Sequence, residues 1–340
     1  MKPGLNLALF GLGPWGTNLL RALSEMPNVR LQAVCDTDPS RLAAAVRGVT
    51  GAPPELATIH PDAALSVPGL QAAVIATQPE EHVALGLRAL DRGLDLFIEK
   101  PLSHSHAQAG ALVAEAERRA AILMVGHILE YDGNVSALRQ LAQEGALGSL
   151  MSFASDRHGC AGDDPWWALA PHDLGLAIGF LGRPLSLSAN PGPGEGVTAT
   201  LELERGNAII CVSRYAAPKT RRFTLTGTRG AITFNDMSRD KLTFDPGVSA
   251  TASGESARLL QGERQQAKQP CRDALRSELE GFMEAVVSRK RPQTDGAYGA
   301  EVVRLLEAGV RSLSRKGARC RLDEWAARAI RPCAAELPER

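Results

Sequence analysis

The sequence predicts an α/β protein: a doubly wound parallel sheet first, then an α+β domain with an open, largely antiparallel sheet. Short apolar runs alternate with helical stretches up to about residue 125. Farther on, several strands follow one another without helices between them. The 340 residues also exceed what one hydrophobic core usually organises. We therefore expect domains at 1–125 and 126–320, with a C-terminal tail at 321–340.

The apolar runs of the first part are continuous, as in strands whose two faces are both covered by helices. This pattern is typical of a doubly wound, dinucleotide-binding type of sheet. The predicted strands are "LNLALF" (5–10), "RLQAVCD" (30–36), "AAVIAT" (72–77), "DLFIE" (95–99) and "AILMVG" (121–126). The predicted helices include "PWGTNLLRALSEM", "PEEHVALGLRALDRG" and "SHAQAGALVAEAERRA".

The second part changes pattern, because helical stretches at 132–144 and 165–181 give way to strands joined by turns such as "ERGNA" and "GTRGA". Sequential strands of this kind predict an open, largely antiparallel sheet. The strands are expected at 184–190, 197–204, 207–215, 221–227, 230–235 and 241–244, and two closing helices at 272–290 and 296–315. Residues 246–270 carry few apolar and no aromatic side chains, which predicts a mobile surface loop.

Composition excludes several classes of function. Lys+Arg and Asp+Glu both number 38, so no net field favours nucleic acid or an anionic membrane. The six cysteines form no CxxC pair, which predicts reduced thiols and gives no metal site. Because "MKPG" runs straight into the first predicted strand, we expect no leader, and no apolar run approaches the roughly 20 residues of a membrane span. We expect a cytoplasmic protein.

The turn after the first predicted strand has the GxGxxG pattern of a dinucleotide site. In such a turn Gly11 allows the tight bend, Gly13 lets the backbone approach a pyrophosphate, and Gly16 packs helix on strand. Pro14 and Trp15 lie between the last two glycines. The helix that follows offers free N–H groups and a positive dipole end to phosphates, so all five residues are candidates for binding the cofactor.

An acidic residue stands at the distance that this motif requires. Asp36 ends the second predicted strand, where its carboxylate is placed to bond the ribose hydroxyls of the cofactor. That carboxylate repels a 2′-phosphate, so we expect NAD or NADP with NAD favoured. Arg41 could accommodate the phosphate instead. The alternative is that Asp36 only begins the turn in "CDTDPS".

Polar residues also stand at the carboxyl ends of the third and fourth apolar runs of the sheet. In doubly wound sheets the ligand lies beyond the carboxyl ends of the strands, where Thr77, Glu99 and Lys100 fall. We expect Lys100 to bond a substrate hydroxyl and help carry its proton, and Glu99 to hold the ammonium or contact the cofactor. Thr77 is a candidate cofactor residue. The alternative is a solvated strand end.

These stretches together resemble the Gfo/Idh/MocA family of oxidoreductases, whose members carry an EKP motif like that in "FIEKPLS". The resemblance extends through "APHDL", "FTLTGTRGAITFND" and "RPQTDGAYGAEVVRLLEA", and covers nearly the whole chain except 246–270 and the tail. It implies that Lys100 is the catalytic lysine, that His172 is the acid/base, and that the open sheet mediates a homodimer or homotetramer. From the residues alone, a helical His followed by Asp is more often structural.

The sequence departs from this family at one position. Many members have an Asp one helical turn before the histidine, where this chain has Ala168. Asp173 is about 100° around the helix from His172 and Asp164 about two turns before it, so neither is a direct replacement. Both remain candidate substrate residues. Either Lys100 with His172 suffices, or an acid of the preceding loop (Asp163 or Asp164) reaches in, or the chemistry is altered or lost.

Adjacent tryptophans precede the proposed histidine. Trp167 is a candidate to stack on a sugar ring, because large rigid rings supply contact area. The alternative is that Trp166 and Trp167 both serve packing. The resemblance implies hydride transfer between nicotinamide and a secondary hydroxyl or ketone of a sugar, sugar acid or nucleotide-linked sugar, with "APHDL" and "LEYDGNV" closer to the nucleotide-sugar branch than to the inositol branch. An NAD-dependent glycosidase and a catalytically impaired regulatory protein are the alternatives.

Overall fold

The structure is a computed structural model that describes residues 4–49, 51, 53–159, 164–215, 218–246, 249–250, 259–260, 265–266 and 273–322. Their chain forms two compact units. The first unit contains residues up to 128 together with 273–303, and the second contains 129–272 and the residues from 304 onward. The boundaries expected from the sequence, 125/126 and 320/321, stay a prediction. No helix in the described ranges is both long and apolar enough to cross a membrane.

A parallel sheet forms the centre of the first unit. Its strands are β1 (Leu5–Phe10), β2 (Val29–Cys35), β3 (Leu56–Thr58), β4 (Ala72–Ile75), β5 (Asp95–Glu99) and β6 (Leu123–Gly126). They lie in the order β3-β2-β1-β4-β5-β6, and every neighbouring pair is parallel. The predicted doubly wound sheet is confirmed. The switch between β1 and β4 is where such sheets bind their ligands.

The helices between these strands begin where their sequences allow. They are α1 (Pro14–Ser24), α2 (Pro39–Arg47), α3 (Pro61–Leu65), α4 (Pro79–Asp91) and α5 (His106–Arg118). The first four start with proline, whose missing N–H costs nothing in the first turn of a helix. The elements β3, α2 and α3 were not among the predicted ones, because they are short and carry little periodic apolar signal.

The second unit is built on a nine-stranded sheet. Its strands are β7 (Leu150–His158), β8 (Pro184–Gly192), β9 (Gly196–Leu203), β10 (Gly206–Ser213), β11 (Thr220–Gly227), β12 (Gly230–Asn235), β13 (Leu242–Pro246), β16 (Gln265–Gln266) and β17 (Cys320–Arg321), while β14 (Ser249–Ala250) pairs separately with β15 (Leu259–Leu260). The order is β16-β13-β12-β11-β7-β10-β9-β8-β17. Only the β7–β10 pair is parallel among the neighbours, so the predicted largely antiparallel sheet is confirmed.

Helices complete both units. The second unit contains α6 (Gly133–Gln143) and α7 (Pro165–Leu181), and α7 packs on β7, β9 and β10. The helices α8 (Ala274–Ser288) and α9 (Gly296–Ser314) lie where the sequence predicted two helices. Residues 273–303, with α8 and the start of α9, belong to the first unit, a return that the sequence pattern did not indicate.

Most of the predicted loop at 246–270 lies outside the described residues. Free thiols are found at Cys35, Cys211 and Cys320.

Candidate functional site

Two glycines of the turn after β1 are required by the fold itself. Gly11 has φ +86°, and a Cβ on it would lie 2.5 Å from the carbonyl oxygen of Ala76. A Cβ on Gly16 would lie 1.9 Å from the carbonyl oxygen of Gly11. Both distances are far inside van der Waals contact, so any larger side chain forces the backbone to shift.

Gly13 differs from its two neighbours. It has φ −64° and an extended conformation that any residue can adopt, and a Cβ on it would meet no protein atom within 4 Å. It is the N-cap of α1 and makes no side-chain cap hydrogen bond, so the cap residue does not satisfy the first N–H groups of α1. The absence of a Cβ at this position is therefore not required by packing, and it leaves room for a ligand. An anion such as pyrophosphate fits there.

A cleft of about 340 Å³ gathers most of the predicted cofactor residues. It is lined by Gly11, Gly13, Asp36, Arg41 and Thr77. The open side of Gly13, the first turn of α1 and a buried carboxylate therefore occur together. The residues present fit a dinucleotide, with its pyrophosphate at the turn and its ribose near the end of β2.

Asp36 holds the backbone around this cleft through two hydrogen bonds. Its Oδ2 accepts a 2.7 Å hydrogen bond from the backbone N–H of Leu12, and its Oδ1 accepts one of 2.8 Å from Asp38. Each carboxylate oxygen can accept more than one hydrogen bond, so capacity for ribose hydroxyls remains. Arg41 is exposed and pairs with Asp38, whose Oδ2 lies 3.4 Å from its Nε. Asp38 thus partly neutralises the positive charge of Arg41, which would otherwise favour the 2′-phosphate of NADP.

We expect Asp36→Asn to change the choice of cofactor. Asparagine keeps an oxygen that can accept from Leu12, but it removes the negative charge that repels a 2′-phosphate. The ratio of NAD to NADP affinity should fall about tenfold or more, which corresponds to about 1.4 kcal/mol. Titration of both cofactors against the variant and the wild type measures this ratio. An unchanged ratio would contradict the assignment of Asp36.

The turn after β5 is joined to the glycine turn by a hydrogen bond. The indole N–H of Trp15, a side chain that is 38% exposed, donates to Glu99 Oε1 over 2.5 Å. The backbone N–H of Lys100 donates to Glu99 Oε2 over 3.2 Å, and the Lys100–Pro101 peptide is cis. Burial raises the pKa of Glu99 to about 7, while the Trp15 hydrogen bond and the Lys100 ammonium act in the opposite direction. Lys100 itself is half-buried.

His82 lies in the first turn of α4. In the structure it is buried. Its Nδ1 lies 3.0 Å from the carbonyl oxygen of Pro101 and its Nε2 lies 3.1 Å from that of Thr77. Burial lowers the pKa of His82. The ring thus joins the turn after β4 to the turn that carries Lys100.

His127, which sequence reasoning missed, lies just after β6. It is buried and packs edge-on against Tyr298, with ring centroids 5.0 Å apart. Burial, and then the nearby Lys100 ammonium, lower the pKa of His127 to about 3. A neutral imidazole therefore lies beside the candidate catalytic lysine. Its place after the last strand of the sheet, in "VGH", is the signal that could have identified it.

The remaining predicted residues belong to the second unit. His172 and Trp167 are half-buried on α7. Trp166 is buried, and its indole N–H donates over 2.9 Å to the carbonyl of Leu306. A Cβ on Gly309 would lie 2.4 Å from the Trp166 ring, so this tryptophan serves packing.

The two acidic candidates near His172 have structural partners. Asp173 is fully buried, and both its oxygens accept from Arg157, at 2.8 and 2.9 Å. We therefore assign it to a buried ion pair between α7 and β7, and its substrate contact stays a prediction. Asp164 is the N-cap of α7, where its Oδ1 accepts from the N–H of Trp166. Asp163 lies outside the described residues.

Asp173→Asn should destabilise the protein strongly. Removing one partner leaves the Arg157 guanidinium buried without its counter-charge. We expect the free energy of unfolding to fall by about 3 to 5 kcal/mol, measured by urea denaturation. Asp156→Asn is the matched control, because Asp156 lies next to Arg157 on β7 and pairs with Arg222 of β11 in a more exposed setting. Equal losses in the two variants would contradict this assignment.

Comparison with known proteins agrees with the geometry. The model of the oxidoreductase family with an NAD-binding Rossmann fold matches residues 5–127. Escherichia coli (strain K12) YdgJ, named an uncharacterized oxidoreductase, is 26% identical over 277 residues, covering 75% of this chain and 76% of YdgJ. The inositol 2-dehydrogenase of Streptomyces avermitilis is 34% identical over 163 residues, and this alignment spans 46% of each chain, about half the length of that relative.

Solved structures share the fold across both units. Levoglucosan dehydrogenase in complex with NADH and L-sorbose has a TM-score of 0.81 at 18% identity, over 95% of this chain and 100% of that chain. At this identity the likeness shows the fold alone. The family's C-terminal alpha/beta domain matches residues 140–319, which together with the first match covers most of the sequence. The chain therefore belongs to the Gfo/Idh/MocA family of NAD(P)-dependent oxidoreductases.

Proposed function

We propose that the protein transfers a hydride between nicotinamide and a secondary hydroxyl or ketone of a sugar, sugar acid or nucleotide-linked sugar. One observation carries this proposal: the Trp15–Glu99 hydrogen bond joins the glycine turn to the strand end that bears Lys100. A dinucleotide site and a candidate proton carrier thus belong to one connected structure. The names of the relatives, an inositol dehydrogenase and a levoglucosan dehydrogenase, support a polyhydroxylated substrate.

The cofactor supplies the hydride acceptor or donor, and the protein supplies the groups that move the proton. The proposed oxidation requires the hydroxyl proton to leave when the carbinol C–H bond breaks. In this proposal Lys100 bonds the substrate hydroxyl, and Glu99 and the backbone hold the lysine in place. The neutral His127 beside Lys100 adds no competing charge.

His172 is the proposed acid/base partner of Lys100. Histidine is the side chain whose reference pKa, near 6.5, suits proton transfer close to neutrality. The assignment comes from the resemblance of "APHDL" to the family, and Trp167 is the proposed stacking surface for the sugar ring. Ala168 gives no acid one turn before His172, so the proposed mechanism relies on Lys100 and His172 alone.

A panel of substrates tests this proposal. The purified protein is incubated with NAD or NADP and with sugars, sugar acids, inositols and UDP-sugars, while reduction of nicotinamide is followed by absorbance. Bound cofactor is identified by mass spectrometry. Reduction with one substrate class is the expected result. Bound cofactor without net reduction by any compound would contradict the proposal.

Ala168 favours a second candidate function, a dinucleotide-binding regulatory protein without turnover. The position that carries an acid in many relatives has a methyl group here, so substrate deprotonation would lack one participant. Restoring the acid distinguishes the two. Ala168→Asp should raise a weak activity if the chemistry is only reduced, and should have no effect if the protein has none.

A further inference from the structure

The first unit contains a buried carboxyl group that the proposed mechanism does not use. Glu278 lies on α8 and has no exposed surface. Neither of its carboxyl oxygens has a hydrogen-bond partner among the described residues. An ionised carboxylate without a partner is very costly in such a place, whereas a neutral carboxylic acid costs far less. The setting of Glu278 therefore favours its protonated form.

Packing brings this group to the interior side of Glu99. Phe282 lies one turn after Glu278 on the same face of α8, and Phe97 lies two residues before Glu99 on the same side of β5. The two phenylalanine rings meet edge-to-face with centroids 5.7 Å apart. This contact places the face of α8 that carries Glu278 and the side of β5 that carries Glu99 in the same buried region of the first unit. Consistent with this, burial and then the charge of Glu99 hold the pKa of Glu278 well above its usual range.

The two carboxyl groups have unequal surroundings. Glu99 accepts from Trp15 and from the backbone N–H of Lys100, and it lies near the Lys100 ammonium, so its charged form is stabilised. Glu278 receives no comparable donor in the part of the chain that the structure describes. Two buried carboxyls in one interior cannot both ionise without a large penalty. The charge thus belongs on Glu99 and the proton on Glu278.

The other titratable groups near α8 and β5 do not change which of the two carboxyl groups carries the charge. On α8 itself, Arg276, Glu280 and Glu284 are exposed, and the only titratable side chain of α1 is the exposed Arg21. The neighbouring elements contribute Lys100 and Asp95 around β5, His127 after β6, and Asp295, Tyr298 and Glu301 around the start of α9. Asp95 is paired with Arg289, and Asp295 with Arg291.

We propose that Glu278 is a positioning residue that stays protonated in the working enzyme and thereby keeps the negative charge on Glu99, where it holds Lys100. Ionisation of Glu278 would put a second negative charge in the same interior and drive a proton onto Glu99. Trp15 and Lys100 would then lose their charged acceptor. The effect on catalysis rests on the proposed function, but the protonation of Glu278 does not.

The proton on Glu278 makes the stability of the folded protein depend on pH. Because the pKa of Glu278 is raised in the folded protein, the folded state keeps a proton that the unfolded state releases above about pH 4 to 5. The stability associated with this proton is complete below that range and is lost as the pH rises toward the folded pKa. Glu278→Gln has no proton to release, so this part of the pH dependence should disappear.

The test compares thermal unfolding of the wild type and Glu278→Gln between about pH 5 and about pH 9. We expect the variant to lose at least about 2 °C less in Tm over this interval than the wild type. The matched control is Glu280→Gln, on the same helix but exposed and paired with Arg276, which should follow the wild type. Should the amide disturb folding, Glu278→Met provides an apolar replacement with the same expected result.

Coupling to Glu99 is measured by repeating the comparison in a Glu99→Gln background. Without the charge of Glu99 the folded-state pKa of Glu278 is lower, so the pH-dependent Tm difference caused by Glu278→Gln should level off at a lower pH, and stay smaller, than in the wild-type background. A Tm difference that does not depend on pH would overturn the protonated state of Glu278. The same pH dependence in both backgrounds would overturn its action through Glu99. Neither measurement requires substrate or turnover, so a failed function proposal is distinguishable from a failed inference.

Discussion

Lys100→Met is expected to lower kcat/KM by about 10² to 10⁴-fold, the range that positioned proton transfer contributes. Methionine keeps an unbranched apolar stem but cannot bond or deprotonate a substrate hydroxyl. Cofactor affinity should change little, because Lys100 is not among the residues that line the cleft of the glycine turn. Initial rates with the active substrate, together with a cofactor titration, separate the two effects.

The control for this variant is Lys290→Met, an exposed lysine in the same unit. It should keep both activity and cofactor affinity. Activity of Lys100→Met equal to that of the wild type would remove Lys100 from the mechanism. Loss of cofactor binding in Lys100→Met would instead place Lys100 in the cofactor site.

Gly13→Ala is expected to weaken cofactor binding without loss of stability. Its added methyl group meets no protein atom within 4 Å, so only a ligand can collide with it. We expect the cofactor Kd to rise by about tenfold or more, which corresponds to at least about 1.4 kcal/mol. Isothermal titration measures the Kd, and thermal unfolding of the same preparation measures stability.

Two other glycines make this comparison decisive. Gly16→Ala should lose stability as well as binding, because its methyl group would overlap the carbonyl oxygen of Gly11 and overpacking costs about 1 to 3 kcal/mol or more. Gly110→Ala, on α5, also adds a methyl group to open space, but outside the cleft, and should leave binding intact. Unchanged cofactor affinity in Gly13→Ala would contradict the cofactor site.

The sequence predicted the fold well because its signals are local. The continuous apolar runs, the glycine turn and the hairpin turns each specify their element within a few residues, and α7 has the predicted limits, Pro165–Leu181. The return of residues 273–303 to the first unit has no local signal, because it depends on which faces pack together. The short β3 was missed for a related reason: three residues carry too little pattern.

Prediction of the candidate site from the sequence was limited in the same way, to residues placed by local signals. The cofactor residues were predicted because a strand, a turn and a helix place them in sequence, and the cleft brings Gly11, Gly13 and Asp36 together. The ion pair of Asp173 could not be predicted, because its partner Arg157 lies on another element. Glu278 could not be predicted at all, since on a helix it resembles an ordinary exposed acid until its burial is known.

In the proposed reaction, hydride passes from the carbinol carbon of the substrate to nicotinamide while this protein takes the hydroxyl proton. This proposed transfer is tested most directly with a substrate from the active class that carries deuterium on the reacting carbon. Mass spectrometry of the released cofactor should then find one deuterium in the reduced nicotinamide for each ketone formed. Deuterium that returns to the product, or is lost to water without net reduction of the cofactor, would contradict the claim and favour transient oxidation as in a glycosidase.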